Sequence, residues 1–217
     1  MNAPLPAATT VPSWPIDGAG RPATLVAALA RNAAENRADV AFRERDYGVW
    51  QEMTWSTVLA EVLCAAAGLE ELGLKPGQAL TVIGDNRPRL YFAMLAANAL
   101  RAFPSPVFPD VPVDELEVYT RYGSPTLAVA EDQEQVDKLL DLRERTGRPA
   151  TIVYDDRRGL GAYAAPGILS FDALVARGAA RLAAEPGLAQ DLVNRAGADD
   201  VSVLLHSSGT TGLPKGI

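Results

Sequence analysis

The sequence contains little of what several classes of protein require. It has one cysteine, Cys64, in 217 residues, so an internal disulfide framework is excluded and a reducing compartment fits. Acidic residues outnumber basic ones, and the net charge is −7. A nucleic-acid-binding protein draws much of its affinity from a basic surface, so this balance argues against such a partner.

Long apolar runs are also missing. Glycine, proline or charge interrupts the most apolar stretches well before the length of a membrane span. The N-terminal residues lack the basic and apolar regions of a secretory signal and are rich in proline. These features predict a flexible arm over 1–20, a single partial domain over 21–217 and a cytoplasmic protein. A peripheral contact with a membrane and the oligomeric state are left open.

Helical and strand patterns alternate from residue 24 onward. The patterns predict a small hairpin (41–43 and 52–55) and strands at 79–83, 103–107, 126–130, 150–154 and 201–206. They predict helices at 24–36, 54–72, 85–100, 113–122, 133–146, 171–184 and 187–194, and a loop at 155–168. Strands that alternate with helices of this length are connected by right-handed crossovers. The predicted fold class is therefore α/β, with a mainly parallel sheet and helices on both faces.

The most informative segment is 207–216, which has the sequence SSGTTGLPKG. It follows the last predicted strand, and ligands of open α/β sheets bind beyond the carboxyl ends of strands. Its glycines allow backbone N–H groups to converge on phosphate oxygens, its hydroxyl groups add donors, and Lys215 adds a mobile cation. A Walker A loop would need glycine before this lysine and serine or threonine after it, where Pro214 and Gly216 stand. We predict a polyphosphate-binding loop rather than a polar surface turn.

This segment resembles the phosphate-binding signature of the adenylate-forming superfamily: acyl-CoA synthetases, luciferases and the adenylation domains of nonribosomal peptide synthetases. Three further stretches resemble bacterial long-chain fatty-acid–CoA ligases more narrowly: 46–52 (DYGVWQE), 84–88 (GDNRP) and 131–140 (EDQEQVDKLL). The resemblance runs from about residue 20 to the end of the chain. It implies the first part of the large N-terminal AMP-binding domain of such an enzyme, truncated after the phosphate-binding loop.

The resemblance implies a two-step reaction. A carboxylate, expected to belong to a long-chain fatty acid, attacks the α-phosphate of ATP bound to Mg²⁺, and pyrophosphate leaves. The thiol of coenzyme A then captures the acyl adenylate. Matching positions imply contacts to the phosphates from Ser207, Ser208, Gly209, Thr210, Thr211, Gly212, Pro214, Lys215 and Gly216. Lys215 takes the catalytic role, and Ser207 matches a position that lies near Mg²⁺ in the family.

The family's motifs for adenine, ribose, most of the acyl group and coenzyme A would follow Ile217, so we expect this chain alone to be inactive. Two alternatives stay open. An aryl-acid ligase or peptide-synthetase adenylation domain would carry the same loop, and a non-catalytic nucleotide-binding module would bind ATP without turnover.

Several reactive or charged residues are given structural roles at this point. His206 is expected to end a strand without a chemical role, and Cys64 to be an inert core thiol. Arg87 and Arg89 are expected at a solvated helix end. The acidic run 131–134 is expected to favour the dipole of a helix N-terminus.

Overall fold

The computed structural model describes residues 13–123, 125–163, 165–208 and 214–216. The helices are α1 (Leu25–Glu35), α2 (Trp55–Glu71), α3 (Pro88–Ala99), α4 (Val113–Tyr119), α5 (Gln133–Thr146), α6 (Phe171–Ala184) and α7 (Leu188–Arg195). The strands are β1 (Val40–Asp46), β2 (Val49–Thr54), β3 (Ala79–Ile83), β4 (Phe103–Val107), β5 (Leu127–Ala130), β6 (Thr151–Tyr154), β7 (Ile168–Ser170), β8 (His206–Ser208) and β9 (Pro214–Gly216). Within the described part of the chain, no helix has the length and hydropathy needed to span a bilayer.

Five strands form one parallel sheet in the order β4-β3-β5-β6-β7, which confirms the predicted α/β fold. Every residue of β3 is buried, as expected for a parallel strand with both faces covered. Successive side chains enter different cores: Val82 belongs to a hydrophobic cluster with residues of α1, α2, α3, α6 and α7, whereas Ile83 belongs to one with residues of α4 and α5. Helices therefore cover both faces of the sheet.

Side-chain caps fix the beginnings of several helices. Thr24, Thr54, Asp132 and Ser170 each accept a hydrogen bond from the backbone N–H three residues further on. Helix α3 begins differently, at Pro88, whose fixed φ suits a first helical position. The predicted start at residues 85 and 86 is wrong, because these residues belong to the turn that precedes α3. Helix α4 also ends earlier than predicted.

The last predicted strand, at 201–206, is wrong over most of its length. Leu204 lies beside β4, where its N–H group donates to the carbonyl oxygen of Pro104 at 3.0 Å. The backbone groups of successive strand residues point to opposite edges of the strand. The backbone of Pro106 therefore faces the same outer edge as that of Pro104. Proline has no N–H group, so at these two positions the edge offers carbonyl acceptors but no N–H donors. The chain follows the edge without a regular ladder, and β8 begins only at His206.

A short strand lies where a loop was predicted. Ile168–Ser170, at the end of the predicted loop 155–168, pairs in parallel with β6 as the last strand of the sheet. Its three residues are half-buried and lead directly into α6, for which Ser170 is the cap. Three residues are too few to give an alternating pattern, so the sequence alone did not indicate this strand.

Arg89 joins four elements through its guanidinium group. It forms ion pairs with Glu61 of α2 at 2.8 Å, Asp155 after β6 at 3.2 Å and Asp172 of α6 at 2.8 Å. Its charged end also lies 5.3 Å from the ring centroid of Phe171. Burial raises the pKa of Glu61 and of Asp155, and Arg89 opposes both shifts. The prediction of a solvated arginine at this position is wrong.

We expect Arg89→Leu to lower the free energy of unfolding at pH 8 by about 3–5 kcal/mol, because three carboxylates lose their shared cation. The loss should be smaller at pH 5, since Glu61 and Asp155 have raised pKa values and bind protons more readily. Urea denaturation at both pH values measures these changes. Arg121→Leu, which removes an exposed ion pair with Glu117, is the matched control. Equal losses for the two variants would contradict the role of Arg89.

Helices α2 and α6 cross at two glycines. A Cβ atom on Gly178 would lie 1.7 Å from the carbonyl oxygen of Cys64, and one on Gly68 would lie 2.6 Å from that of Leu174. Cys64 itself is fully buried, and burial raises the pKa of its thiol to about 12, as expected for an inert core thiol.

The crossing predicts that Gly178→Ala destabilises the fold by about 1–3 kcal/mol, since the added methyl group meets backbone that cannot move freely. The control is Gly161→Ala, because a Cβ atom on Gly161 has no neighbour within 4 Å. Thermal melts of the two variants make the comparison. A melting temperature for Gly178→Ala equal to that of the control would show that α2 and α6 accommodate the added methyl group without a loss of stability.

Candidate functional site

The turns after β3 and β4 line an open cleft of about 790 Å³. The ends of these strands meet at one edge of the sheet because the strands are parallel. The cleft is bounded by Gly84-Asp85-Asn86, by residues of α3 and α4, by the segment 106–112 and by residues 205–207. The start of the predicted phosphate-binding segment therefore forms one wall of this cleft.

The walls of the cleft combine apolar side chains with carboxylates. Apolar surface comes from these residues: Leu90, Tyr91, Met94, Phe108, Val111 and Leu205. Asp85, Asp110 and Glu115 contribute carboxyl groups. The apolar side chains suit an uncharged organic substituent. The carboxylates would repel a polyphosphate. If a triphosphate binds here, its favourable contacts have to come from the segment 207–216.

Glu131 closes the crevice between β3 and β5, where the strand order reverses direction and ligands of open α/β sheets commonly bind. Its Oε2 atom accepts the N–H of Asp85 at 2.6 Å. Gly84 has φ of +149° and lies so close that a Cβ atom there would be 2.4 Å from the Cβ of Glu131. Glu131 is 9% exposed and fixes the turn that carries Asp85 and Asn86 to the cleft.

Arg87 connects this turn to β1, which pairs with β2 in an antiparallel hairpin, as the sequence predicted. Its Nε atom donates to Oε1 of Glu131 at 2.7 Å, and its Nη1 atom donates to Glu44 at 3.1 Å. The hydrogen bond to Glu131 raises the pKa of Arg87. The solvated helix end predicted for Arg87 is therefore wrong, and Glu131 does more than favour a helix dipole. Sequence reasoning missed this pair because its partners are 44 residues apart.

The predicted phosphate-binding segment begins and ends on the two strands of a hairpin. Strands β8 and β9 are antiparallel, and His206, Ser207 and Ser208 pair with Gly216, Lys215 and Pro214, respectively. Ser207 is half-buried and lines the cleft. The expected position at the end of a parallel strand is wrong, because the hairpin forms a separate two-stranded sheet. Four predicted phosphate-binding residues lie outside the described residues: Gly209, Thr210, Thr211 and Gly212.

His206 packs against aromatic side chains at the end of α4. Its ring centroid is 4.4 Å from that of Tyr119 and 5.9 Å from that of Tyr122. Both ring nitrogens are buried and have no hydrogen-bond partner among the described residues. Burial lowers the pKa of His206, and an interaction with the Tyr119 backbone offsets part of this shift. A lone histidine before a glycine-rich segment was the only sign in the sequence of this contact.

The described residues contain no group of three or more His, Cys, Asp or Glu side chains placed to hold a metal ion on their own. Mg²⁺ in nucleotide sites takes few protein ligands and is held largely by the phosphates. The Ser207 hydroxyl and the carboxylates of the cleft are oxygen donors of the type that Mg²⁺ prefers. The residues present fit a metal that enters with ATP.

Comparisons with known proteins agree with this architecture. The family model for AMP-binding enzymes matches residues 29–217. A long-chain-fatty-acid–CoA ligase of Drosophila melanogaster, heimdall, is 24% identical over 77% of this chain and 24% of its own length. 4-Coumarate–CoA ligase 3 of Arabidopsis thaliana is 28% identical over 70% of this chain and 24% of its own length. The chain thus spans about a quarter of the length of these ligases.

Among solved structures, acetoacetyl-CoA synthetase from Streptomyces lividans superimposes with a TM-score of 0.73 over 88% of this chain and 29% of its own length. The identity is 24%, so this likeness concerns the fold. The family match covers almost the whole chain, from α1 to the hairpin of β8 and β9. The chain therefore belongs to the family of AMP-binding enzymes.

Proposed function

We propose that the protein activates a carboxylic acid with ATP and transfers the acyl group to the thiol of coenzyme A. In the first step a carboxylate oxygen attacks the α-phosphorus of ATP, and the bond to the pyrophosphate oxygen breaks. In the second step the sulfur of the thiol attacks the acyl carbon, AMP leaves, and the thiol proton is lost. The observation that carries the proposal is the glycine-, hydroxyl- and lysine-containing segment 207–216, which starts at the rim of an open cleft.

In this proposal the residues of 207–216 hold the β- and γ-phosphates. The glycines allow backbone conformations in which N–H groups point toward the phosphates and donate to their oxygens. The hydroxyl groups of the serines and threonines donate to phosphate oxygens as well. Lys215 stabilises the negative charge that grows on the departing pyrophosphate. ATP enters as its Mg²⁺ complex, in which the metal spreads the charge of the triphosphate, and Ser207 is the residue assigned to its vicinity. Donors fixed before the reaction lower the barrier because they need not reorganise during it.

We propose a long-chain fatty acid as the acid. The similarity to the D. melanogaster ligase and the resemblance of 46–52, 84–88 and 131–140 support this choice. An aromatic acid is the second candidate, supported by the similarity to the A. thaliana ligase. Coenzyme A as acceptor, Mg²⁺ and a cytoplasmic location belong to the same proposal.

Lys215→Ala in the whole protein is expected to lower the rate of ATP–pyrophosphate exchange by about 100-fold, because a charge stabiliser of the transition state is lost. The measurement is exchange of labelled pyrophosphate into ATP in the presence of the acid. The matched control is Lys75→Ala, which removes an exposed lysine in the turn before β3. This turn lies at the amino-terminal end of the strand, away from the cleft. Unchanged exchange in Lys215→Ala would contradict the proposed role.

The acid itself is tested with a matched set of substrates. We expect thioester formation with a saturated fatty acid of about 16 carbons to exceed that with 4-coumarate or anthranilate by tenfold or more in kcat/KM, since a long chain buries more apolar surface. Liquid chromatography of the products measures all three in one mixture. A preference for an aromatic acid would select the second candidate. Absence of adenylate and thioester with every acid would favour a non-catalytic nucleotide-binding module.

A further inference from the structure

The β1–β2 hairpin ends in an exposed apolar tip, which consists of Tyr47, Val49 and Trp50. Tyr47 is 82% exposed, and Val49 and Trp50 are 60% and 61% exposed. Nearer the base of the hairpin, Phe42 and Met53 pack against the larger hydrophobic core. The hairpin is therefore anchored at its base, while the apolar side chains of the hairpin tip face the surroundings of the chain.

Tyr47 has a backbone conformation that does not favour its side chain. Tyr47 and Gly48 have φ of +45° and +82°, and two consecutive residues with positive φ are typical of the type I′ turns in tight hairpins. Asparagine followed by glycine is preferred in such turns, whereas a bulky residue with positive φ is uncommon. Folding of the hairpin alone would favour asparagine at position 47. The aromatic ring at this position points to a contact outside the fold.

Arginine side chains lie around the hairpin tip. Arg45 is directly opposite Trp50 in the register of the two strands. The guanidinium carbon of Arg158 lies 5.7 Å from the ring centroid of Tyr47, and the preceding residue, Arg157, is exposed as well. Among the described residues, Arg45 and Arg157 have no ion-pair partner. Two free cations thus accompany the apolar side chains.

The charge of this surface differs from that of the whole chain. Arg43 and Arg158 are paired with Glu52 and Asp156, respectively, and Asp46 is a further carboxylate of the hairpin. The four arginines of the surface therefore exceed its three carboxylates, whereas the chain as a whole carries a net charge of −7. A negatively charged surface would be repelled by the chain as a whole and accepted on this face.

The hairpin tip lies at the edge of the sheet to which the cleft opens. The segment with Arg158 follows the carboxyl end of β6, and the N–H group of Asp156 donates to the carbonyl oxygen of Glu131 at 2.7 Å. On the hairpin itself, Glu44 pairs with Arg87, which follows the turn that borders the cleft. A layer in contact with the hairpin tip would therefore lie close to one wall of the cleft.

We propose that the hairpin tip and its arginines bind the surface of an anionic lipid bilayer. Tryptophan and tyrosine favour the boundary between headgroups and acyl chains, because their rings combine apolar surface with a hydrogen-bonding group. Arginine keeps its charged end among anionic headgroups while its stem covers apolar surface. The inference goes beyond the proposed function and does not depend on it. With a long-chain acid as substrate, it places the cleft beside the layer in which such acids dissolve.

Flotation of the whole protein with lipid vesicles tests this inference without ATP or an acid. Vesicles of phosphatidylcholine and phosphatidylglycerol, mixed at about 7:3, are compared with vesicles of phosphatidylcholine alone. We expect at least about fivefold tighter binding to the anionic vesicles, because each arginine near such a surface contributes about that factor. A wild-type protein that floats with neither kind of vesicle, or equally with both, would overturn the inference.

A double variant, Tyr47→Asn with Trp50→Thr, removes both rings and retains residues that suit the turn and the strand. We expect it to bind anionic vesicles at least about tenfold more weakly, because two large apolar groups are lost. Its melting temperature should be unchanged or higher, so the loss cannot arise from unfolding. The matched control is Ile16→Ser, because Ile16 is also 61% exposed but precedes α1. Undiminished binding of the double variant, or an equal loss in the control, would contradict the role of the hairpin tip.

Asp46→Asn tests the charges in the opposite direction. It removes the carboxylate that opposes the arginines, so binding to anionic vesicles should become about threefold tighter, with no change for neutral vesicles. Arg45→Gln and Arg157→Gln should each weaken binding to anionic vesicles by a similar factor. Lys75→Gln, in the turn before β3, is the control and should have no effect. An Asp46→Asn protein that binds no more tightly than the wild type would overturn the electrostatic part of the inference.

Hydrogen–deuterium exchange of the whole protein identifies the surface that meets the bilayer. Anionic vesicles should slow exchange at residues 45–51 and 156–159 and leave the turn at Lys75 unchanged. Protection elsewhere, with the hairpin unaffected, would overturn the inference. A dimer that the double variant separates, in a protein that binds no vesicles, would show that a second copy covers the hairpin tip instead. A protein that binds vesicles but forms no adenylate would contradict the proposed function alone.

Discussion

Parallel pairing of β3 with β4 and with β5 is the constraint from which the arrangement of the site follows. The carboxyl ends of these strands share one edge, and the turns after them have to find partners there. The turn after β3 meets Glu131, the first residue after β5, and the resulting hydrogen bonds to Asp85 and Arg87 set one wall of the cleft. The ion pairs of Arg89 connect the helices behind that wall.

The other wall depends on the outer edge of β4. Pro104 and Pro106 leave that edge without N–H donors, so the chain that follows it cannot add a full parallel strand. It turns instead into the hairpin of β8 and β9, which packs against aromatic side chains at the end of α4. The described strands β8 and β9 thus lie outside the main sheet, and His206 packs against the end of α4.

Local features of the sequence predicted much of the fold. Thr24 and Asp132 are caps that act on their own helices, and β3 has the continuous apolar composition of a covered strand. The failures share a physical cause. Strand β7 is too short to show a pattern, and the segment at 201–206 has strand composition but meets an edge that lacks donors. For the site, residues 207–216 could be selected from composition and order, whereas the role of Glu131 required knowledge of a partner 46 residues away in sequence.

The central claim is that the segment between β8 and β9 receives the phosphates of ATP at the rim of the cleft. A crystal structure of the whole protein with a non-hydrolysable ATP analogue and Mg²⁺ tests it most directly. We predict β- and γ-phosphate oxygens within hydrogen-bonding distance of the backbone N–H groups and hydroxyl groups of 207–216, with the Lys215 ammonium on the same phosphates. A triphosphate bound elsewhere, with this segment free of contacts to it, would contradict the account.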